Sequence, residues 1–144
     1  MFHHQNRLEF VQELNGRKFY NDTTATIPQA CLAAVKSFEE PVVLIAGGTD
    51  KNLEFNLMPE IARNVKSMFL LKGSGTDKMI AELEKNHASY NGPFDSLEKA
   101  LEEAYKASAS NDIILFSPGA TSFEMFKNEF DRGNSFKNLV NKKI

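Results

Sequence analysis

The side chains best suited to chemistry stand in four short stretches: NDTTATIP (residues 21–28), GGTDKNLEF (47–55), KGSGTDK (72–78) and SPGATSFEMF (117–126). Short hydroxyls and backbone amides donate hydrogen bonds to carboxylate and phosphate oxygens. Glycine lets a ligand come close to the main chain, and a lysine such as Lys51 meets an anion as a point charge. The chemistry these stretches share is therefore the holding of small anions. Each also has an ordinary alternative. Thr121-x-x-Glu124 reads equally as a capping box and as the opening of a helix whose free amides attract an anion. A lysine on a glycine-rich loop is commonly just solvated, and GSGTDK lacks the third glycine that a dinucleotide loop requires. His3, His4 and His87 have no metal-ligand spacing and no cysteine beside them, so the chain alone is expected to hold no metal. Cys31 lies in the apolar run ACLAAV and reads as a small buried hydrophobe. No Ser-His-Asp or Cys-His arrangement emerges.

The elements between these stretches must position them. Asn15-Gly16 suits the positive φ angles of a tight turn and predicts a β-hairpin over 8–20. Apolar residues at helical spacing behind Pro28 predict a helix over 28–38, and PVVLIAGG reads as a strand buried on both faces, over 41–48. A helix over 57–65, a strand over 67–72 and a helix over 76–86 follow. A short strand over 88–90 comes next, then a helix over 96–108 opened by Asp95 and Glu98, and a strand in DIILFSP. The last helix is expected over 122–142, with a break at Gly133. Strands alternating with helices give an α/β fold: an N-terminal β-hairpin followed by a Rossmann-like, mainly parallel sheet with helices on both faces. In such sheets ligands bind beyond the carboxyl ends of the strands, and all four anion-suited stretches follow strands.

With 144 residues, the chain is expected to form one domain with a core that needs no disulfide or metal. Hydrophobic residues at 42% and charged residues at 25% are a globular composition. The net charge of −2, with both signs mixed along the chain, offers neither a nucleic acid nor a membrane surface a basic stripe. No apolar h-region or membrane-length run occurs, and a cytoplasmic location is expected.

Taken in order, RLEFV, FYNDTTAT, LIAGGTDKNLEF and LFSPGATSFEMFKNEFDRGNSF make the chain, from Arg7 to the last helix, resemble the C-terminal domain of the Mur ligase family. The similarity is to the branch that adds D-glutamate to UDP-N-acetylmuramoyl-L-alanine in peptidoglycan synthesis. The resemblance implies an ATP-dependent amide ligase, in which ATP with Mg2+ phosphorylates a substrate carboxylate and the D-glutamate amine attacks the acyl phosphate. It implies that Thr26, Lys51, Ser122 and Phe130 hold D-glutamate, with Ser122 at the start of the last helix, and that Arg7 and Asp22 meet the nucleotide. Thr24 stands where the family often has lysine, Asn6 where it has histidine, and an ungapped match sets Glu129, one place before Phe130, at the pocket aromatic. The sequence contains no GxxxxGK[ST] phosphate loop and no UDP-binding region. ATP and UDP-N-acetylmuramoyl-L-alanine are thus expected to bind through other domains of a longer ligase, and the isolated chain is expected to be inactive. Two alternatives stand beside this: a free-standing α/β module that binds a small anion and regulates a partner, and a Mur-type domain for another amino acid.

Overall fold

A computed structural model describes residues 5–142; His3 and His4 lie outside them. The chain opens with a hairpin of β1 (Glu9–Leu14) and β2 (Arg17–Asn21), antiparallel, turned by Asn15 at φ 52° and Gly16 at φ 82°. The Asn-Gly pair supplies the left-handed backbone that such a turn needs. There follow α1 (Pro28–Lys36), β3 (Val42–Ala46), α2 (Met58–Arg63), β4 (Ser67–Leu71), α3 (Ser74–Lys85), β5 (Asn91–Phe94), α4 (Leu97–Ala107), β6 (Ile113–Phe116) and α5 (Glu129–Asn141). The six-stranded sheet has the order β1-β2-β6-β3-β4-β5, and every pairing except β1 with β2 is parallel.

Residues of β3 and β6 are buried throughout, as strands covered on both faces must be. Alternation along each strand divides the core. Val42, Leu44 and Ala46 face α1, α2 and α3, packing with Cys31, Met58, Ile61, Met79 and Leu83. Val43, Ile45, Ile114 and Phe116 face α4 and α5, packing with Leu101, Ala104, Phe136 and Val140. The expected α/β architecture, with helices on both faces, is the one observed.

Three expectations need correction. The weak strand lies at Asn91–Phe94 rather than over 88–90. Ala88 and Tyr90 instead pack against the core from an irregular segment, and Pro93 is accommodated because β5 is an edge strand. Helix α4 is capped by Ser96, whose side chain accepts the Lys99 amide at 3.1 Å; Asp95 lies outside it and approaches Lys72 at 4.0 Å. Helix α5 begins behind Asn128, whose side chain accepts the Asp131 amide at 2.8 Å, and it runs unbroken through Gly133. Thr121 cannot be helical because it forms an antiparallel bridge with Thr49.

Candidate functional site

Since β2, β6, β3, β4 and β5 run in one direction, the loops behind them open on a single rim. Thr26, Lys51 and Ser122 each follow a parallel strand and stand on that rim together. Within it they occupy different settings.

The first setting is built by Asp22, which is 4% exposed. Its Oδ1 accepts the Leu8 amide at 2.9 Å and its Oδ2 accepts the Ser117 hydroxyl at 2.8 Å. Burial pushes its carboxyl above the ordinary value, against those two hydrogen bonds and the Arg7 charge. The Thr24 amide and hydroxyl both donate to the Asn6 carbonyl, at 3.1 and 2.9 Å. Residues 6–8, with Asn6 at φ 67° and Leu8 at φ 45°, are thereby folded across the threonine-rich loop, leaving Arg7 exposed beside it. An open cleft of about 760 Å³ results, and it brings together Arg7, Asp22, Thr26 and Phe130 over an apolar floor that includes Ile27 and Ala30. Phe130 is 57% exposed. At Glu129, the ungapped position, the main-chain carbonyl accepts the Thr23 hydroxyl at 2.8 Å.

Ser122 and Lys51 lie outside this cleft. Ser122 is 2% exposed and stands six residues before the α5 cap, so the expectation that it opens the last helix is corrected. Its hydroxyl is one of two buried side-chain oxygens among the described residues with no hydrogen-bond partner. It lines a small space of about 10 Å³ with Gly47, Gly48 and Arg132. Lys51 is exposed, and its Nζ sits 4.9 Å from the centre of the Phe123 ring.

The two loops that carry them are fastened together. The Thr49 amide donates to the Thr121 carbonyl at 2.8 Å, the Thr121 hydroxyl returns to the Thr49 carbonyl at 3.2 Å, and the Glu124 amide donates to Thr49 Oγ1 at 2.9 Å. A side chain at Gly48 would strike the Thr121 carbonyl, which is why the second glycine of GGTDK is needed. The amides at the start of α3 are already used. Gly48 O accepts Gly75 N at 2.9 Å and Thr76 N at 3.3 Å, and Glu124 Oε1 accepts Ser74 N at 2.8 Å and Ser74 Oγ at 3.0 Å. The Ser74 amide foremost holds the Glu124 carboxyl below its ordinary range. GSGTDK is thus a helix start occupied from within, and Glu124 caps α3 rather than the helix of its own segment.

Arg132 is the residue that sequence reasoning missed. It is 1% exposed, and its Nε donates to Thr23 Oγ1 at 2.8 Å, its Nη2 to Thr23 O at 2.7 Å and its Nη1 to Ala120 O at 3.0 Å. One guanidinium therefore joins the threonine-rich loop to the loop ahead of Ser122. Burial lowers its pKa to about 10. Gly133 permits the approach, since a Cβ there would strike Asn6 and Thr23. The available signal was spacing: Arg132, Phe136 and Val140 recur every four residues, which sets the arginine on the buried stripe of α5.

Among the described residues, no group of three or more His, Cys, Asp or Glu could hold a metal ion, and no helix is long and apolar enough to cross a membrane.

Residues 6–119 match the family model described as Mur ligase, glutamate ligase domain. The chain is 49% identical over 140 residues to the UDP-N-acetylmuramoylalanine–D-glutamate ligase of Borreliella burgdorferi, covering 95% of this chain and 31% of that protein. The ligase of the same name from a Roseiflexus species is 47% identical over 139 residues, with 94% of this chain and 30% of that protein covered. Among solved structures, a murein peptide ligase from Psychrobacter arcticus shares the fold with a TM-score of 0.64 at 13% identity, over 95% of this chain and 30% of that one. The chain spans about three tenths of the length of these relatives.

Proposed function

Because the chain belongs to the Mur ligase glutamate ligase domain family, we propose that it is the C-terminal, substrate-binding domain of an ATP-dependent UDP-N-acetylmuramoyl-L-alanine:D-glutamate ligase of peptidoglycan synthesis. In this reading it works in the cytoplasm as one domain of a longer polypeptide, whose other domains hold ATP, Mg2+ and UDP-N-acetylmuramoyl-L-alanine. A free-standing regulatory module is not favoured by the family membership.

The observation that carries the proposal is the placement of Thr26, Lys51 and Ser122 on one sheet rim, in neighbouring settings, with the Ser122 hydroxyl buried and unpartnered among the described residues. D-glutamate presents two carboxylates and an amine. Lys51 supplies a cation for one carboxylate, the Thr26 hydroxyl supplies a neutral donor and Phe130 supplies an apolar wall, while the Ser122 hydroxyl, buried in this arrangement, would reach the amino acid once its loop opens toward the rim. Arg7 and Asp22 share the cleft with Thr26, and they fit the edge of a nucleotide whose phosphates are cradled elsewhere. There Arg7 is the exposed contact, while Asp22, with both oxygens engaged, holds the backbone that presents it. Bound ATP supplies the phosphoryl group that activates the acceptor carboxylate. The work of this chain is orientation: it fixes both ends of the amino acid so that its nitrogen meets the activated carbon, which replaces a bimolecular encounter by a positioned one.

The test is Lys51→Ala in the full-length ligase. Removing the cation from a desolvated charge pair costs about 2–5 kcal/mol, so the KM for D-glutamate should rise strongly. Thermal stability should stay unchanged, since Lys51 is exposed on a loop. A normal KM for D-glutamate refutes the assignment.

A further inference from the structure

The Lys51 ammonium is held by a ring instead of by an acid. Its nearest carboxylate in sequence, Asp50, is engaged by Lys78 at 2.7 Å, and among the described residues no carboxylate lies within ion-pair distance of Lys51. Phe123 takes that place, with Nζ 4.9 Å from its centroid, inside the range over which a ring quadrupole attracts a cation. Phe123 is 54% exposed and belongs to neither core cluster, so burial does not explain why an aromatic stands here. The backbone on both sides is fixed: the bridge between Thr49 and Thr121 lies two residues before each partner, and the Glu124 amide is bonded to Thr49 Oγ1. Two rigid loops therefore present a lysine and a phenylalanine to each other.

We propose that Phe123 is a positioning residue for Lys51, orienting its ammonium toward the incoming substrate carboxylate without neutralising it. A carboxylate partner would fix a lysine equally well but would compete with the substrate for the same charge. An aromatic face removes much of the rotamer freedom of the lysine and leaves its charge and its N–H donors available to an anion. This inference rests on the D-glutamate reading of the rim.

The experiment is a double-mutant cycle in the full-length ligase, with Phe123→Leu, Phe123→Tyr, Lys51→Ala and the Phe123→Leu/Lys51→Ala pair. An exposed cation–ring contact corresponds to roughly a two- to fivefold effect. Phe123→Leu should therefore raise the KM for D-glutamate by about that factor with kcat unchanged, Phe123→Tyr should restore it, and Phe123→Leu should add nothing once Lys51 is alanine. In the 144-residue chain, NMR should show the Lys51 ε-methylene protons shifted upfield by the ring, with the shift lost in Phe123→Leu. A raised KM in Lys51→Ala beside a normal one in Phe123→Leu overturns the proposal alone. So does an effect of Phe123→Leu that persists without Lys51. A normal KM in Lys51→Ala overturns the substrate reading and the proposal with it.

Discussion

Replacing Arg132 by methionine keeps much of the aliphatic volume of the side chain and removes the guanidinium, and the loss can be worked from its contacts. Three hydrogen bonds from a charged donor, two to Thr23 and one to the Ala120 carbonyl, contribute roughly 1.5–3 kcal/mol each. Against this stands the cost of burying the charge. A pKa lowered from 12.5 to about 10 corresponds to about 3 kcal/mol, which methionine escapes. The difference predicts that Arg132→Met lowers stability by about 1.5–6 kcal/mol, a large part of the 5–15 kcal/mol typical of a domain. Arg132→Lys should fall between the two, because an ammonium is a point donor and cannot reproduce the fork that serves Thr23 and Ala120 together. Urea unfolding of the 144-residue chain, followed by circular dichroism, measures all three. If Arg132→Met unfolds within 1 kcal/mol of the parent, the guanidinium does not hold the two loops together.

Asp22 has a folded pKa above its ordinary value of 3.8, so its contribution to stability is full below that value and is lost as pH rises through the folded pKa. The stability of the parent relative to Asp22→Asn should accordingly increase as pH is lowered from 7 toward 4 in paired urea titrations, and a flat or opposite trend refutes the burial argument. Glu124 has the reverse sign: its depressed pKa contributes stability above 4.5 that disappears as pH falls through the folded value. Glu124→Gln should cost about 0.5–1 kcal/mol at pH 7, as expected for an exposed helix cap, with the gap closing in acid. Isothermal calorimetry of the 144-residue chain with ATP and Mg2+ should register little heat, because Arg7 is an edge contact and the sequence holds no phosphate loop; tight binding contradicts the multidomain reading.

The sheet was legible because β3 and β6 are unbroken apolar runs, a pattern that only a strand covered on both faces tolerates. The rim was legible because loops behind parallel strands must share an edge, so Thr26, Lys51 and Ser122 could be placed together once their strands were recognised. What escaped were contacts between segments distant in sequence. Thr121 and Glu124 carry the local signature of a capping box, yet their partners are Thr49 and Ser74, and the bridge keeps the following residues out of the helix. Arg132 was overlooked because a charged residue in a helix is expected at the surface, and the three oxygens that justify burying it come from loops that precede it in the sequence. Pro93 concealed β5 for a related reason, since edge position is a property of the sheet and not of the strand.

The start of α3 has a wider meaning for selectivity. It opens on the same rim as Lys51 and Ser122, and a bare helix start there would be a general receptor for phosphate, sulfate or the wrong end of an amino acid. Near neutral pH, Glu124 and the Gly48 carbonyl act as an internal inhibitor of that receptor, tethered and never diluted. With the start of α3 occupied in this way, that helix offers no open amides to compete with the side chains of the rim. If the rim takes D-glutamate as proposed, this arrangement favours a dicarboxylic amino acid over the inorganic anions that surround it.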